Sequence, residues 1–265
     1  MHEFGEVAER LRRSTVQVFS HGHDGGGSGI IWSSDGRIVT NSHVARAEKA
    51  DVVLWDGRRL AARLVSRDSR RDLAELKVSE VGLPAATAGD SDKLRPGELA
   101  IAIGSPLGFA GALSTGVIHS VGSIPGMGRE RWIGASVRLA PGNSGGPLAD
   151  ARGRVVGINT AIVNGLGVAV PSNAAADFLR RGARPSLGVT LVPVPHGMQI
   201  TSVDPNGAAA AASLRAGDVL VGTHERLLEM LDSGIDTLRL PFFRDDLTRL
   251  REAFVRVAPR RAEAA

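Results

Sequence analysis

Short apolar runs separated by turn residues set the pattern of the first two thirds of the chain. "TVQVF", "GIIW", "RIVT", "DVVLW", "RLAARLV" and "LAELKV" follow one another, bounded by Gly, Asp, Ser or Pro. A stretch poor in such runs comes next, "VGLPAATAGDSDKLRPGE" at 81–98. After it stand "LAIAIG", "STGVIHSVG", "VVGINTAI" and "GVAVP". Runs of this length, rich in β-branched residues and closed by turn formers, predict strands rather than helices. "SSDGR" at 33–37 sets Asp-Gly between two runs and predicts a hairpin. The break at 81–98 divides the β region into two halves of about six strands each.

The texture changes after residue 171. "PSNAAADFLRRG" opens with a proline, offers Ser172 or Asn173 as a cap, and ends at glycine, so a short helix is expected. "ARPSLGV" leads into a third unit. That unit mixes strands ("GMQITSV", "DVLVG", "TLRLPFF") with helices (208–214 and 224–232). The expected organisation is a helical N-terminal segment at 1–13, a β unit at 14–172, and a helix with linker at 173–185. A small α+β unit follows at 186–257, then a disordered tail at 258–265.

Composition narrows the classes. At 265 residues with 43% hydrophobic content, the chain can bury a real core. No apolar run approaches the ~20 residues that span a bilayer, so membrane insertion is not expected. The first residues show no apolar signal-peptide centre, which by sequence alone points to the cytoplasm. Without cysteine there is no disulfide, thiolate nucleophile or cysteine metal site. The net charge is +4, but the arginines are scattered in pairs such as Arg58-Arg59 and Arg180-Arg181. With no tyrosine and 4% aromatics, nucleic-acid binding is not expected.

Candidate chemistry starts at "SVRLAPGNSGGPLAD", residues 136–150. Glycines and flanking prolines there make a rigid irregular loop around Ser144. A plain turn could be built the same way, because a serine hydroxyl is a poor nucleophile until a base takes its proton. Five of the seven histidines lie at the terminus, in a glycine-rich loop, after prolines or at a helix start, and His119 alternates within a strand. His43 sits in "RIVTNSHVA", where an apolar strand breaks into a polar turn. Alone, a histidine at a strand end is structural more often than catalytic. An acid must orient the base, and Asp68 and Asp72 compete in "SRDSRRDLAELKV". Asp68, among Ser and Arg, reads as solvated. Asp72 precedes an apolar strand that draws its carboxylate inward, and it is the preferred partner.

The order His43, Asp72, Ser144 resembles the trypsin-like serine proteases, and more closely their HtrA-type (DegP-type) members. "GSGIIWSSDGRIVTNSHV", "RDLAELKV", "PLGFAGALSTGVIHSVG", "APGNSGGPLADARGRVVGINTAI" and "GVAVPS" carry the resemblance over most of 14–172. It implies a mainly β, chymotrypsin-like fold of two six-stranded barrels with a cleft between them. It also implies an oxyanion hole from the backbone N–H groups of Gly142 and Ser144, and no metal or organic cofactor. Asn143 stands where digestive members carry an aspartate, which suggests that no zymogen cleavage is needed. "SLGV" and "GMQITSVDPNGAAAAASLRAGDVLVG" resemble the start of a PDZ domain. There Leu187, Gly188 and Val189 would offer N–H groups to a peptide carboxylate, with helix 224–232 as the other wall. The usual strand between "GDVLVG" and that helix is missing.

The expected activity is a serine endopeptidase of protein quality control, acting on unfolded or damaged protein. The alternative is a protease-like peptide-binding scaffold with little turnover. A specificity pocket walled by Leu139, Asn159, Thr160, Ala161, Ile162 and Val168 would favour aliphatic side chains. The family resemblance further suggests a homotrimer, with Phe4 and Val7 packing on a neighbour, and an extracytoplasmic location at odds with the missing leader.

Overall fold

A computed structural model describes residues 4–22, 25–105, 111–125, 127, 130–181, 186–232 and 235–257. The tail at 258–265, the linker at 182–185 and residues 106–110 of "PLGFAG" lie outside the described residues. The chain divides into two compact units, Met1–Gly182 and Ala183–Ala265.

The first unit holds two closed barrels. β1 (Thr15–Ser20), β2 (Gly27–Ser33), β3 (Arg37–Thr40), β4 (Lys49–Val53), β5 (Arg59–Asp68) and β6 (Leu73–Val78) close in the order β1-β2-β3-β6-β5-β4. Val16, Val18, Ile31, Ile38, Val52 and Leu76 fill this barrel. β7 (Leu99–Gly104), β8 (Ala112–Gly122), β9 (Trp132–Ala135), β10 (Pro147–Ala149), β11 (Val155–Val163) and β12 (Leu166–Pro171) close as β10-β11-β12-β9-β8-β7. Ile118, Ile133, Leu148 and Val156 are among its core residues. The hairpin at 33–37 forms as the Asp-Gly signal requires: Ser33 pairs with Arg37, and Gly36 turns the chain at φ +94°. Closure removes the exposed edges that open sheets leave unpaired.

Two helices belong to the same unit. α1 (Phe4–Arg13) buries Val7 and Leu11. A Cβ added at Gly153 would lie 3.0 Å from Val7 Cγ1, and Arg10 donates to the Arg152 carbonyl at 2.8 Å. Val7, expected to face a neighbouring molecule, is therefore spent inside the chain against the second barrel, whereas Phe4 stays exposed. α2 (Ser172–Arg181) starts against the inter-barrel connection. Neither expected cap accepts from the helix. Ser172 donates its hydroxyl to the Gly89 carbonyl at 2.8 Å, and the Asn173 N–H donates to Ser91 Oγ at 3.1 Å. One of the first N–H groups of the helix, that of Asn173, thus finds a tertiary acceptor instead of a local cap.

The second unit is a five-stranded antiparallel sheet ordered β13-β14-β15-β16-β17, with two helices. Its strands are β13 (Val189–Val194), β14 (Gly197–Val203), β15 (Val219–Leu220), β16 (Thr237–Arg244) and β17 (Asp246–Arg256), and its helices are α3 (Ala208–Ala211) and α4 (His224–Asp232). α3 is shorter than the alanine run suggests. The chain leaves it through Ser213 at φ +59°, which brings Leu214 into the core. No strand lies between β15 and α4, in line with the gap seen in the sequence.

Candidate active site

His43 sits three residues beyond β3, and Asp72 immediately before β6, so paired neighbouring strands deliver both. Asp68 builds the turn that leads to Asp72. It is 5% exposed, and its Oδ1 accepts the N–H groups of Arg70 at 3.1 Å and Arg71 at 3.2 Å. The expectation that Asp68 is solvated is therefore overturned: a carboxylate that satisfies two backbone donors in a tight turn is drawn inward. Asp72 itself adopts φ +53°, a left-handed conformation that Asp tolerates better than most residues. The Asn41 side chain donates to the Asp72 carbonyl at 2.8 Å and steadies that geometry.

The Asp72 carboxylate faces His43 twice. Oδ2 lies 2.7 Å from His43 Nδ1, and Oδ1 accepts the His43 backbone N–H at 3.0 Å. An ionised carboxylate only accepts, so Nδ1 carries a proton, and in the neutral imidazole that leaves the lone pair on Nε2. Thr160, on β11 of the other barrel, donates its hydroxyl to the same Oδ2.

Ser144 enters from the loop before β10. The Asn143 N–H donates to the Ala140 carbonyl at 3.0 Å, and Gly142 has φ +104°. With Pro141 at the second position and positive φ at the third, this is a type II turn. Gly145, at φ +87°, has no room for a side chain: a Cβ there would lie 2.0 Å from the Ser28 carbonyl oxygen. Ser144 Oγ donates to the Thr160 carbonyl at 3.3 Å. Thr160 therefore touches both Asp72 and Ser144, and through it the three candidate residues share one constellation at the junction of the barrels. Thr160, expected only in the pocket wall, holds a bridging position for which a lone threonine gives no local signal.

Asn159 is also engaged elsewhere. Its side-chain amide donates to the Pro147 carbonyl at 2.9 Å, and its backbone pairs with Gly145 and Gly146. It braces the serine loop. Of the remaining pocket candidates, Leu139 packs over Gly167, where an added Cβ would lie 3.0 Å from Leu139 Cδ1. Ala161 pairs with Val168 across β11 and β12, while Ile162 is largely exposed. Ser136–Ala140 is not a strand; Arg138 is exposed and Leu139 half-buried. A cavity of about 260 Å³ opens beside Gly142, bounded by Phe19, Gly26, Gly27, Ser105 and Pro141. Among the described residues no His, Asp and Glu cluster is arranged to hold a metal ion.

In the second unit, Leu187 is buried and its carbonyl accepts the Ala209 N–H at 2.8 Å. Gly188 turns at φ +70°, and its N–H donates to Ser186 Oγ at 3.1 Å. Val189 opens β13, a strand at the edge of the sheet.

Residues 27–158 match the model of the trypsin-like peptidase domain. A Halomonas elongata protein named as a DegP-like periplasmic serine endoprotease is 40% identical over 221 residues, which cover 74% of this chain. The chain belongs to the HtrA/DegP-type trypsin-like serine proteases. A Chlamydia trachomatis relative of the same name is 37% identical over 234 residues. The HtrA-type protease AlgW, solved with a tripeptide, superposes with a TM-score of 0.69 at 28% identity, covering 97% of each chain. A serine endoprotease from Yersinia pestis superposes with a TM-score of 0.63 at 26% identity, again covering 97% of each chain. This HtrA-type chain spans about half the length of the curated relatives it matches, 47% for each of the two above.

Proposed function

We propose that this chain is a serine endopeptidase that cleaves unfolded or damaged protein, in protein quality control. The single observation that carries the reading is the 2.7 Å contact between His43 Nδ1 and Asp72 Oδ2, tied through Thr160 to Ser144. In this reading Asp72 holds the imidazole with Nε2 free. Ser144 Oγ leaves the Thr160 carbonyl, passes its proton to His43 Nε2, and attacks the substrate carbonyl. The imidazolium, stabilised by Asp72, then protonates the leaving amine, and water repeats the sequence to release the acyl group. Gly142 and Ser144 N–H groups stabilise the oxyanion, each donor worth about 2.7–4 kcal/mol. The type II turn supports this, because it leaves the Gly142 N–H out of the turn's own hydrogen bond.

Leu139, Ala161, Ile162 and Val168 supply only apolar side chains, and no carboxylate lies in 136–140, 159–162 or 167–170. An aliphatic residue before the cut gains roughly 1.5–3 kcal/mol on burial, whereas a cation would be left unpaired. The cavity beside Gly142 takes the residues after the cut. The open β13 edge and α4 support a PDZ-like domain at 186–257 that receives a peptide carboxylate as an added strand, with Gly188 releasing its N–H from Ser186 Oγ to do so. Assembly is as a homotrimer, read by mass on size exclusion.

The test is casein digestion by wild type and Ser144→Ala, with product termini read by mass spectrometry. Activity is lost by several powers of ten in Ser144→Ala, and cuts follow Val, Ala, Leu or Ile. Casein cleavage by Ser144→Ala at a rate near wild type overturns the nucleophile. A majority of cuts after Lys, Arg, Asp or Glu overturns the pocket.

A further inference from the structure

β2 contributes one residue to the serine loop of the other barrel, and every polar group of that residue is in use. Ser28 is fully buried. Its N–H donates to the Ser144 carbonyl at 2.7 Å, and its hydroxyl donates to the Gly142 carbonyl at 2.7 Å. The same hydroxyl accepts the Ser105 N–H at 2.9 Å, and the Ser28 carbonyl accepts the Thr40 hydroxyl at 2.6 Å. Ser28 thus grips both ends of the segment 142–144. The backbone N–H could come from any residue but proline. The Gly142 carbonyl also takes the Ser105 N–H at 3.4 Å, so the 2.7 Å contact from Ser28 is the tighter hold, and it calls for a donor on a short stem in a closed site. A Cβ added at Gly104 would lie 3.1 Å from Ser28 Oγ, and one added at Gly146 would lie 3.2 Å from Ser28 Cβ.

We infer that the Ser28 hydroxyl is a positioning residue for the oxyanion hole, setting the place of the Gly142 N–H relative to the Ser144 N–H. This deepens the proposed function and rests on Gly142 and Ser144 being its two donors. Gly142 lacks a side chain and sits at positive φ, so its own conformational preferences hold it weakly. Its carbonyl is the handle by which the rest of the molecule can orient it. Donors of this kind act only when aimed at the oxygen that becomes charged, and an error of about 1 Å costs up to about 100-fold in rate. Ser28 hydrogen-bonds to neither His43 nor Asp72, so the contact between base and carboxylate is left in place.

The experiment compares wild type, Ser28→Ala, Ser28→Cys, Thr15→Val and Ser144→Ala. Thr15→Val removes another buried hydroxyl, one bonded to Leu11 rather than to the serine loop, and controls for lost stability. The readouts are kcat and KM on a peptide with valine before the cut, and inhibition by the matching peptide aldehyde. The aldehyde adds the serine oxygen to its carbonyl carbon, and the resulting oxyanion mimics the transition state. For Ser28→Ala and Ser28→Cys, kcat falls by about 10- to 100-fold with KM within twofold. Aldehyde affinity falls in parallel, the pH midpoint of kcat/KM is unchanged, and Thr15→Val shows none of this at a comparable loss of Tm. The inference is overturned by wild-type kcat in a folded Ser28 variant, by an equal loss in Thr15→Val, or by failure of both Ser28 variants to fold. Hydrolysis that survives in Ser144→Ala overturns the underlying reading as well. Its loss there, with kcat intact in Ser28→Ala, overturns the positioning role alone.

Discussion

Thr160 shows how much one side chain carries in this site. Its hydroxyl meets Asp72 and its carbonyl meets Ser144, from a strand of the opposite barrel. Thr160→Val keeps the shape and removes the donor. A hydrogen bond to a charged group is worth about 1.5–3 kcal/mol, so kcat is expected to fall by roughly 10- to 100-fold with KM little changed. Steady-state kinetics on a short peptide check it, and an unchanged kcat shows that His43 alone orients Asp72. The two aspartates differ in kind. Asp72→Asn is expected to lower kcat by about 10⁴-fold, because an amide can hold the imidazole in the wrong tautomer. Asp68→Asn weakens the turn at Arg70 and Arg71, so it lowers Tm more than kcat. Equal small losses of kcat in both variants show that neither carboxylate orients the base. Melting curves and kinetics on the same preparations separate them.

Single elements divide by how local their causes are. The six strands of the first barrel coincide with six apolar runs, since each run is bounded by its own turn residues. β9 and β10 are only four and three residues long, too short for a period to declare itself. β17 was not visible at all: eleven residues at a sheet edge carry only Ala253 and Val255 as buried positions. What holds the far end of that sheet is a side-chain pair. Arg244, at the end of β16, meets both oxygens of buried Asp218 at 2.6 Å and also donates to the Ser213 carbonyl. Burial works to raise the Asp218 carboxyl, but Arg244 and the Arg215 N–H hold it below its ordinary range. A depressed folded pKa means stability that is present above the unfolded value, about 3.9, and lost as pH falls through the folded value. The second unit is therefore expected to lose stability below about pH 4. Asp218→Asn, which takes away the carboxylate Arg244 meets and leaves it the Ser213 carbonyl, costs roughly 3 kcal/mol near neutral pH, the low end for breaking a buried pair. Its deficit against wild type shrinks in acid. Denaturation at pH 7 and pH 3 tests this, and a deficit independent of pH shows that the pair is not the cause.

At the scale of the whole chain, the boundary falls after α2. That helix is tied to the barrels by the Ser172 hydroxyl on Gly89 and by Arg37 donating to the Leu179 carbonyl at 2.6 Å. A chain ending at residue 182 is accordingly expected to fold and melt in one cooperative transition. Circular dichroism during a thermal ramp is the check, and a truncated chain that precipitates or melts without a transition shows that 183–265 is part of one folding unit.

The amino-acid sequence by itself determined the class of fold and the break between the barrels, and it singled out His43, Asp72 and Ser144 as candidates, joined by the family resemblance. Those signals are local: a period of two, a glycine-rich loop, a histidine at a strand end, an aspartate before an apolar strand. Only the tertiary structure decided the burial of Asp68, the inward packing of Val7, the bridge at Thr160, the brace at Asn159 and the grip of Ser28. Asp68 turns inward on donors two and three residues on, but the bridge and the grip depend on partners far away along the chain, Thr160 lying 88 residues from Asp72 and Ser28 lying 114 from Gly142. A hydroxyl has the same local signature whether it faces water or a carbonyl of the opposite barrel. Closure of the two barrels brings those partners within hydrogen-bond reach, and burial makes leaving them unpaired costly.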